Sequence, residues 1–116
     1  MKGSLEEVVV KRVVGRITRA PELSHSSAGV PICRFIVASD RGPAKNPVVT
    51  RVCVQGVLGA PRGEDLAIRC ARLLEGDVVQ VMGEEEERTR CRGGIEYPEK
   101  YTIARDVRLK GRLGHE

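Results

Sequence analysis

The segment EDLAIRCARLLEGDVVQVMGE, residues 64–84, decides the fold because it places a helix directly before a strand. Apolar residues recur at helical spacing over 64–74, with acidic residues in the first turn, Arg72 in the last turn and Gly76 where a C-terminal cap would lie. Residues 77–84 are rich in valine, as strands are. We therefore predict a helix over 64–74, packed through its apolar stripe, followed by a strand over 77–84.

Further strands are predicted on both sides of this segment. The β-rich stretches are 8–19, 32–39 and 48–58 before the helix, and 100–109 after it. Pro, Gly and Ser mark 20–31 and 40–47 as loops, and Gly93-Gly94 as a turn. The order β-β-β-α-β-β is that of an all-β, five-stranded OB-fold Greek-key barrel with one α-helix between strands 3 and 4. We expect a single domain over residues 1–116, with its core at about 8–110.

Side-chain alternation predicts which residues of the early strands face the core. Cys33, Phe35 and Val37 can point inward. Ile32, Arg34 and Ile36 then point outward. Phe35 is therefore interpreted as a core residue rather than a base-stacking one. Gly15, in the middle of the first strand, suggests a bend or bulge of the kind that a tight barrel requires.

Composition limits the functional classes. The 116 residues carry 20 Lys and Arg against 16 Asp and Glu, a formal charge of +4, and most of the basic residues are Arg, which is suited to phosphates. The chain has no apolar run of membrane-spanning length and no hydrophobic signal segment, so we expect a soluble, cytoplasmic protein. The four cysteines have neither zinc nor redox spacing and are predicted to be small buried or half-buried residues. We expect no metal, no cofactor and no enzymatic activity, because the two histidines (His25 and His115) and the acidic run form no triad or ligand cluster.

Several segments resemble the bacterial single-stranded DNA-binding protein family in order and spacing. They are VVGRITRAPEL (13–23), AGVPICRFIVASDR (28–41), RVCVQGVL (51–58), LLEGDVVQVMGE (73–84) and KYTIARDVRL (100–109). The resemblance covers residues 9–110. It implies an OB fold, a homo-oligomer (usually a tetramer, with a dimer as the alternative), and binding of single-stranded DNA in replication, recombination and repair.

The sequence departs from this family in its aromatic residues. It has no Trp, one Phe and two Tyr, and Val49 and Gln55 stand where the third strand of the family usually shows aromatics. His25 replaces a usual Tyr, and Arg90 to Arg92 lie near the usual Trp. Because stacking contributes about 1–3 kcal/mol per base, fewer aromatic platforms predict weaker binding. This sequence ends at Glu116 without the long flexible tail and acidic tip through which this family recruits replication and repair proteins. Either that partner function is lost or this sequence is truncated, and both alternatives stay open.

The candidate nucleic-acid-binding residues are mainly arginines. They are Arg16, Arg34, Val49, Arg51, Gln55, Arg88, Arg90, Arg92 and Tyr97. Arg88, Arg90 and Arg92 alternate along a hairpin arm, which puts them on one face, where they can contact phosphates or neutralise the acidic run Glu84 to Glu87. Tyr97 is predicted to be an exposed stacking platform near the hairpin tip.

Other functions stay open at this stage. The segment Gly29-Val30-Pro31-Ile32-Cys33, together with the few aromatics and the absent tail, is also similar to the primosomal replication protein N family, whose OB dimers assist replication restart. A diverged OB subunit that acts mainly through protein–protein contacts is a further alternative. RNA is not distinguished from DNA by the residues themselves, and only the resemblance favours DNA.

Overall fold

A computed structural model describes residues 10–39, 48–59 and 65–112. Within these ranges, the chain forms six strands and one short helix. The elements are β1 (Val10–Ile17), β2 (Glu22–His25), β3 (Pro31–Ser39), β4 (Val48–Gln55), α1 (Leu66–Cys70), β5 (Val78–Arg92) and β6 (Ile95–Gly111). The structure is therefore mostly β, with the helix between β4 and β5 as predicted.

The strands form one sheet that closes into a ring. Their order is β1-β5-β6-β4-β3-β2, and an additional pairing between β1 and β3 closes the ring. Neighbouring strands run antiparallel except β4 and β6, which pair in parallel through Val52 with Thr102 and Cys53 with Ile103. β2 lies outside the ring, on the free edge of β3.

Gly15 lies at the position where β1 passes from one partner strand to another. β1 pairs with β5 from Val10 to Arg16, and it pairs with β3 at Arg16 and Ile17. A Cβ atom on residue 15 would overlap the carbonyl oxygen of Ala38 in β3 and lie 2.7 Å from the Ser39 hydroxyl oxygen. That hydroxyl donates a 2.6 Å hydrogen bond to the carbonyl oxygen of Val14. The absence of a side chain at position 15 therefore permits this close approach.

The core fills the ring. Cys33, Phe35 and Val37 are buried, which confirms the predicted inward face of β3. The other buried apolar residues in the main cluster are Val13, Ile17, Val52, Val54, Ala67, Cys70, Val79, Val81 and Ala104. β-Branched side chains dominate this set because they pack well on pleated strands.

The helix is shorter than predicted. Asp65 is its N-cap, with its side chain accepting from the amide of Ile68, and Ala71 is its C-cap. Beyond Cys70, tight turns replace the expected helix over 71–74, with Arg72 and Leu73 donating to carbonyls three residues back. Gly76, at φ 89°, belongs to the turn that enters β5 rather than to a helix cap. Residue 64 lies outside the described residues.

Several strand predictions were wrong in their bounds. Residues 20–31 were predicted as a loop, but Glu22–His25 form β2, whose four residues are all exposed and show no apolar alternation. β4 ends at Gln55 rather than at residue 58, whereas β5 and β6 extend into a long hairpin that turns at Gly93-Gly94. The predicted loop at 40–47 lies outside the described residues.

Three of the four cysteine predictions are confirmed. Cys33, Cys53 and Cys70 are buried, and none of the four cysteines forms a disulfide. Burial raises the pKa of the Cys33 thiol to about 11 and that of Cys70 to about 12, so both stay protonated near neutral pH. Cys91 was predicted to be at least half-buried and is exposed, because the hairpin projects it away from the ring.

The described residues contain no metal-binding cluster and no membrane-spanning helix. No group of three or more His, Cys, Asp or Glu residues is arranged to hold a metal ion. The helix described, α1, has five residues, and no helix in these ranges is long and apolar enough to cross a membrane.

Replacement of Gly15 by Ala tests the close approach of β1 to β3. We expect Gly15→Ala to lower the free energy of unfolding by about 1–3 kcal/mol, because its Cβ would push β1 away from β3. Gly111→Ala is the matched control, since a Cβ there meets nothing within 4 Å, and it should change stability by less than about 0.5 kcal/mol. Urea unfolding followed by circular dichroism measures both values. Equal stability of the two variants would contradict the argument.

Candidate nucleic-acid interface

An open groove lies where β3, β4 and the β5–β6 hairpin meet, with a cavity volume of about 470 Å³. We call it the arginine groove. Its lining residues are Arg19, Ala20, Glu22, Arg34, Phe35, Ile36, Arg51, Val52, Arg90 and Tyr101. Four guanidinium-bearing side chains therefore surround a partly apolar floor.

The register of β3 and β4 gives the groove one of its walls. Ile36 lies opposite Arg51, and Arg34 lies opposite Cys53. Since directly paired residues share a face of a sheet, Arg34 and Arg51 both project from the outer face. Both are exposed, as predicted. Val49 and Gln55 occupy the same face but do not line the groove.

The hairpin supplies the opposite wall. Arg88, Arg90 and Arg92 pair in register with Glu99, Tyr97 and Ile95, respectively. This alternation confirms that the three arginines share one face of the hairpin. Only Arg90 among them lines the groove.

The three arginines were predicted either to contact phosphates or to neutralise the acidic run, and they differ from one another in their contacts. Arg88 neutralises part of the acidic run, because its guanidinium lies 2.7 Å from the Glu86 carboxylate. Arg90 instead pairs with Glu99. Arg92 forms no ion pair with any of the residues that the structure describes.

The acidic run finds most of its partners away from the groove. Glu84 pairs with Arg105, and Glu85 lies 3.4 Å from the Lys11 ammonium group. These pairs join β5 to its two neighbouring strands, β6 and β1. The negative charge of the run is therefore partly neutralised outside the arginine groove.

Glu99 and Tyr101 link the two walls. The Tyr101 hydroxyl donates a 2.6 Å hydrogen bond to Oε1 of Glu99, and Arg90 Nη1 donates a 2.6 Å bond to the same hydroxyl oxygen. Arg51 Nε lies 3.2 Å from Oε2 of Glu99. Glu99 thus bridges an arginine of β4 and an arginine of β5.

The electrostatics of this cluster favour the ionised carboxylate. The hydrogen bond from Tyr101 lowers the pKa of Glu99 below its usual range, and the guanidiniums of Arg51 and Arg90 lower it further. Burial and the bond to Glu99 raise the pKa of Tyr101. The phenol therefore stays protonated and the carboxylate charged at neutral pH.

The tyrosine that lines the groove is Tyr101, not the predicted Tyr97. Tyr97 was predicted to be an exposed platform near the tip, but it is half-buried beside Arg90, and Ile95, 69% exposed, is nearer the turn. Tyr101 is buried and lines the groove, with the Arg88 guanidinium carbon 5.9 Å from its ring centroid, at the outer limit of a cation–π contact. Phe35 is buried in the core, as predicted, and is also among the residues that line the groove.

Arg16 lies outside the groove although it shares the outer surface. It is exposed on β1 and pairs with Ala38, which in turn pairs with Val49. Arg16 and Val49 therefore lie in one row across the sheet, next to the row that contains Arg51. A strand of nucleic acid in the groove would have to extend past Arg51 to reach Arg16.

Sequence reasoning missed four polar residues of the site, Arg19, Glu22, Glu99 and Tyr101. Arg19 and Glu22 line the groove from the segment that follows β1, where no periodic pattern marks them. Glu99 had a usable signal, since a hairpin that turns at Gly93-Gly94 places it opposite Arg88.

Comparisons with known proteins add no family assignment. The chain matches no model of a known protein family, and a search of curated proteins finds no match.

Tyr101→Phe tests the contact between Tyr101 and Glu99. Loss of the hydroxyl removes the main cause of the lowered pKa of Glu99, so we expect that pKa to rise in the variant. Carboxyl ¹³C chemical shifts followed against pH measure it. Tyr97→Phe is the control and should leave the pKa of Glu99 unchanged. An unchanged pKa in Tyr101→Phe would show that the hydroxyl does not hold the carboxylate.

Proposed function

We propose that this chain is an OB-fold protein that binds single-stranded DNA, with little sequence preference and no catalytic step. The observation that carries the proposal is the convergence of Arg34, Arg51 and Arg90, from three different strands, on one open groove. All three are among the binding residues that the sequence predicts. Guanidiniums in such a groove suit the oxygens of a phosphate backbone.

The strand pairings support the OB assignment. With β2 set aside as an added edge strand, the ring β1-β5-β6-β4-β3 has five members, and α1 connects the third to the fourth of them in chain order. This connection and the mixed pairing pattern agree with a five-stranded Greek-key barrel. OB barrels commonly bind nucleic acids on the outer faces of their middle strands, where Arg34 and Arg51 lie.

The lining of the groove favours a single strand bound mainly through its phosphates. Arg19, Arg34, Arg51 and Arg90 offer charge, whereas Tyr101 is the one lining tyrosine and is largely buried. Phosphate contacts position a nucleic acid without reading its sequence. Weak base selectivity follows. The preference for DNA over RNA, and a role in replication, recombination and repair, come from the family resemblance of the sequence.

Self-association is part of the proposal. The outward face of β1 exposes Val10 and Val14, each at 46%, and its in-register neighbours on β5 include the half-buried Met82. Exposed valines on a strand suit contact with a second apolar surface. A homo-oligomer would cover them and would place several grooves on one particle.

A function in protein–protein contacts is the second candidate. It is favoured by the internal pairing of Arg51 and Arg90 with Glu99 and by the exposure of Val48 and Val49, at 46% and 54%. Stable self-association together with negligible affinity for oligonucleotides would select this candidate.

Titration of labelled poly-dT, followed by anisotropy at several salt concentrations, tests the proposed function. We expect salt-sensitive binding to poly-dT, with weaker binding to the two controls, duplex DNA and poly-U. Arg34→Gln should weaken binding and flatten the slope of log affinity against log salt by about 0.7, the value of one lost phosphate contact on a single strand.

Arg108→Gln is the matched control for that variant. Arg108 is exposed on β6, lies 2.8 Å from Asp106 and does not line the groove. Affinity that is independent of salt would contradict the proposal. Equal weakening by the two substitutions would contradict the location of the site.

A further inference from the structure

A carboxylate stands beside the groove that is proposed to bind phosphates. The side chain of Glu99 is 14% exposed, and its two oxygens contact Arg51, Arg90 and Tyr101, which all line the arginine groove. A negative charge at this position opposes the binding of another anion. Its presence therefore calls for a physical explanation.

The donors around Glu99 also suit a phosphodiester. Arg51 Nε faces one carboxylate oxygen at 3.2 Å, and the Tyr101 hydroxyl faces the other at 2.6 Å. Arg90 Nη1 lies 3.5 Å from that second oxygen. A phosphodiester likewise presents two charged oxygens to such donors, and both groups bind arginine in the same manner. Glu99 thus occupies an anion position that a phosphate of the backbone can also use.

The neighbouring arginine does not provide an alternative partner for this carboxylate. Arg88 lies directly across the hairpin from Glu99, the position where a cross-strand ion pair would form. Its guanidinium instead pairs with Glu86, through contacts of 2.7 and 2.8 Å, and lies near the ring of Tyr101. Glu99 therefore forms its ion pairs with two of the groove arginines, Arg51 and Arg90.

We propose that Glu99 competes with the bound strand for Arg51 and Arg90. A phosphodiester of the strand displaces the Glu99 carboxylate from these two arginines. This inference rests on the proposed function and deepens it by naming the residue that limits affinity. Before binding, Glu99 holds both guanidiniums in place and cancels part of their charge. When a strand enters, part of the gain from contacts with phosphate is offset by the loss of the contacts with Glu99.

The competition has a measurable consequence for binding. Neutralisation of Glu99 leaves Arg51 and Arg90 in the groove without an acidic partner, so they are free to contact phosphate. Affinity should rise, because the strand no longer has to displace a carboxylate, while the phosphate contacts of the bound state stay the same. Replacement of a residue that merely stabilised the hairpin would not raise the affinity.

Glu99→Gln tests the inference, with Glu96→Gln as the matched control. Glutamine keeps the shape of the side chain and an acceptor oxygen for Tyr101. Glu96 lies on the same strand and is exposed on the opposite face of the hairpin, in register with Cys91. The two variants carry the same net charge, so they differ only in the location of the lost carboxylate.

In anisotropy titrations with labelled oligo-dT, we expect Glu99→Gln to bind roughly 3- to 10-fold more tightly than the unchanged chain. The slope of log affinity against log salt should stay the same, because the same phosphate contacts form in the bound state of both proteins. Glu96→Gln should give a much smaller gain in affinity. Binding by the unchanged chain with no gain in Glu99→Gln would overturn this inference and leave the proposed function standing. Absence of binding in all three proteins would overturn both.

A second readout tests the contact without nucleic acid. Because Glu99 raises the pKa of Tyr101 whereas Arg90 and Arg51 lower it, removal of the carboxylate charge should lower that pKa. Ultraviolet titration of the phenols in Glu99→Gln and Glu96→Gln measures the difference. A lowered pKa only in Glu99→Gln supports the contact, and equal values in the two variants contradict it.

Discussion

Strand β1 closes the sheet by pairing with β5 along its length and with β3 at its last two residues. This double pairing requires the two backbones to come very close at Gly15, where even a methyl group would overlap the carbonyl oxygen of Ala38. On the opposite side, the parallel contact of β4 with β6 completes the ring. The buried core, the position of α1 and the curvature of the outer surface all depend on this closure.

Closure also explains how separated residues form one site. In an open, flat sheet, outward residues of β3 and β4 would lie beside β6 with little depth between them. The ring is curved, and the β5–β6 hairpin extends beyond it, so Arg90 and Tyr101 stand across from Arg34 and Arg51 with a cavity of about 470 Å³ between them. The fold thus converts residues from four strands into a groove. Glu99 and the Tyr101 hydroxyl then fix the spacing of its two walls.

The sequence was most informative where burial imposes a pattern. Alternation along β3 correctly separated the buried Cys33, Phe35 and Val37 from the outward Arg34, and the helix was correctly placed between β4 and β5. Edge strand β2 was missed because all four of its residues are exposed, so no alternation reveals them. The helix was predicted too long because its apolar residues continue past Cys70 into turns that also pack on the core, as Leu73 does.

In the candidate site, too, residues with a readable strand pattern could be predicted, whereas tertiary contacts could not. Arg34, Arg51 and Arg90 could be predicted, since each lies on the outward side of a strand whose phase is readable. The hairpin register places Glu99 opposite Arg88, which the sequence makes readable, but its contacts with Arg51 and Arg90 depend on the packing of the hairpin against β4, which no local pattern encodes. Cys91 was wrongly expected to be at least half-buried for a related reason. The hairpin extends beyond the ring and has no core to cover it.

The central claim is that a single strand lies in the arginine groove, and nuclear magnetic resonance of the arginine Nε–Hε groups tests it most directly. The ¹⁵N-labelled protein would be titrated with a short oligo-dT while the side-chain signals are followed. The structure predicts that Arg34, Arg51 and Arg90 shift together, at the same oligonucleotide concentration, while Arg69 on α1 and Arg108 on β6 stay in place. Shifts confined to residues outside the groove, or no shifts at any concentration, would contradict the claim.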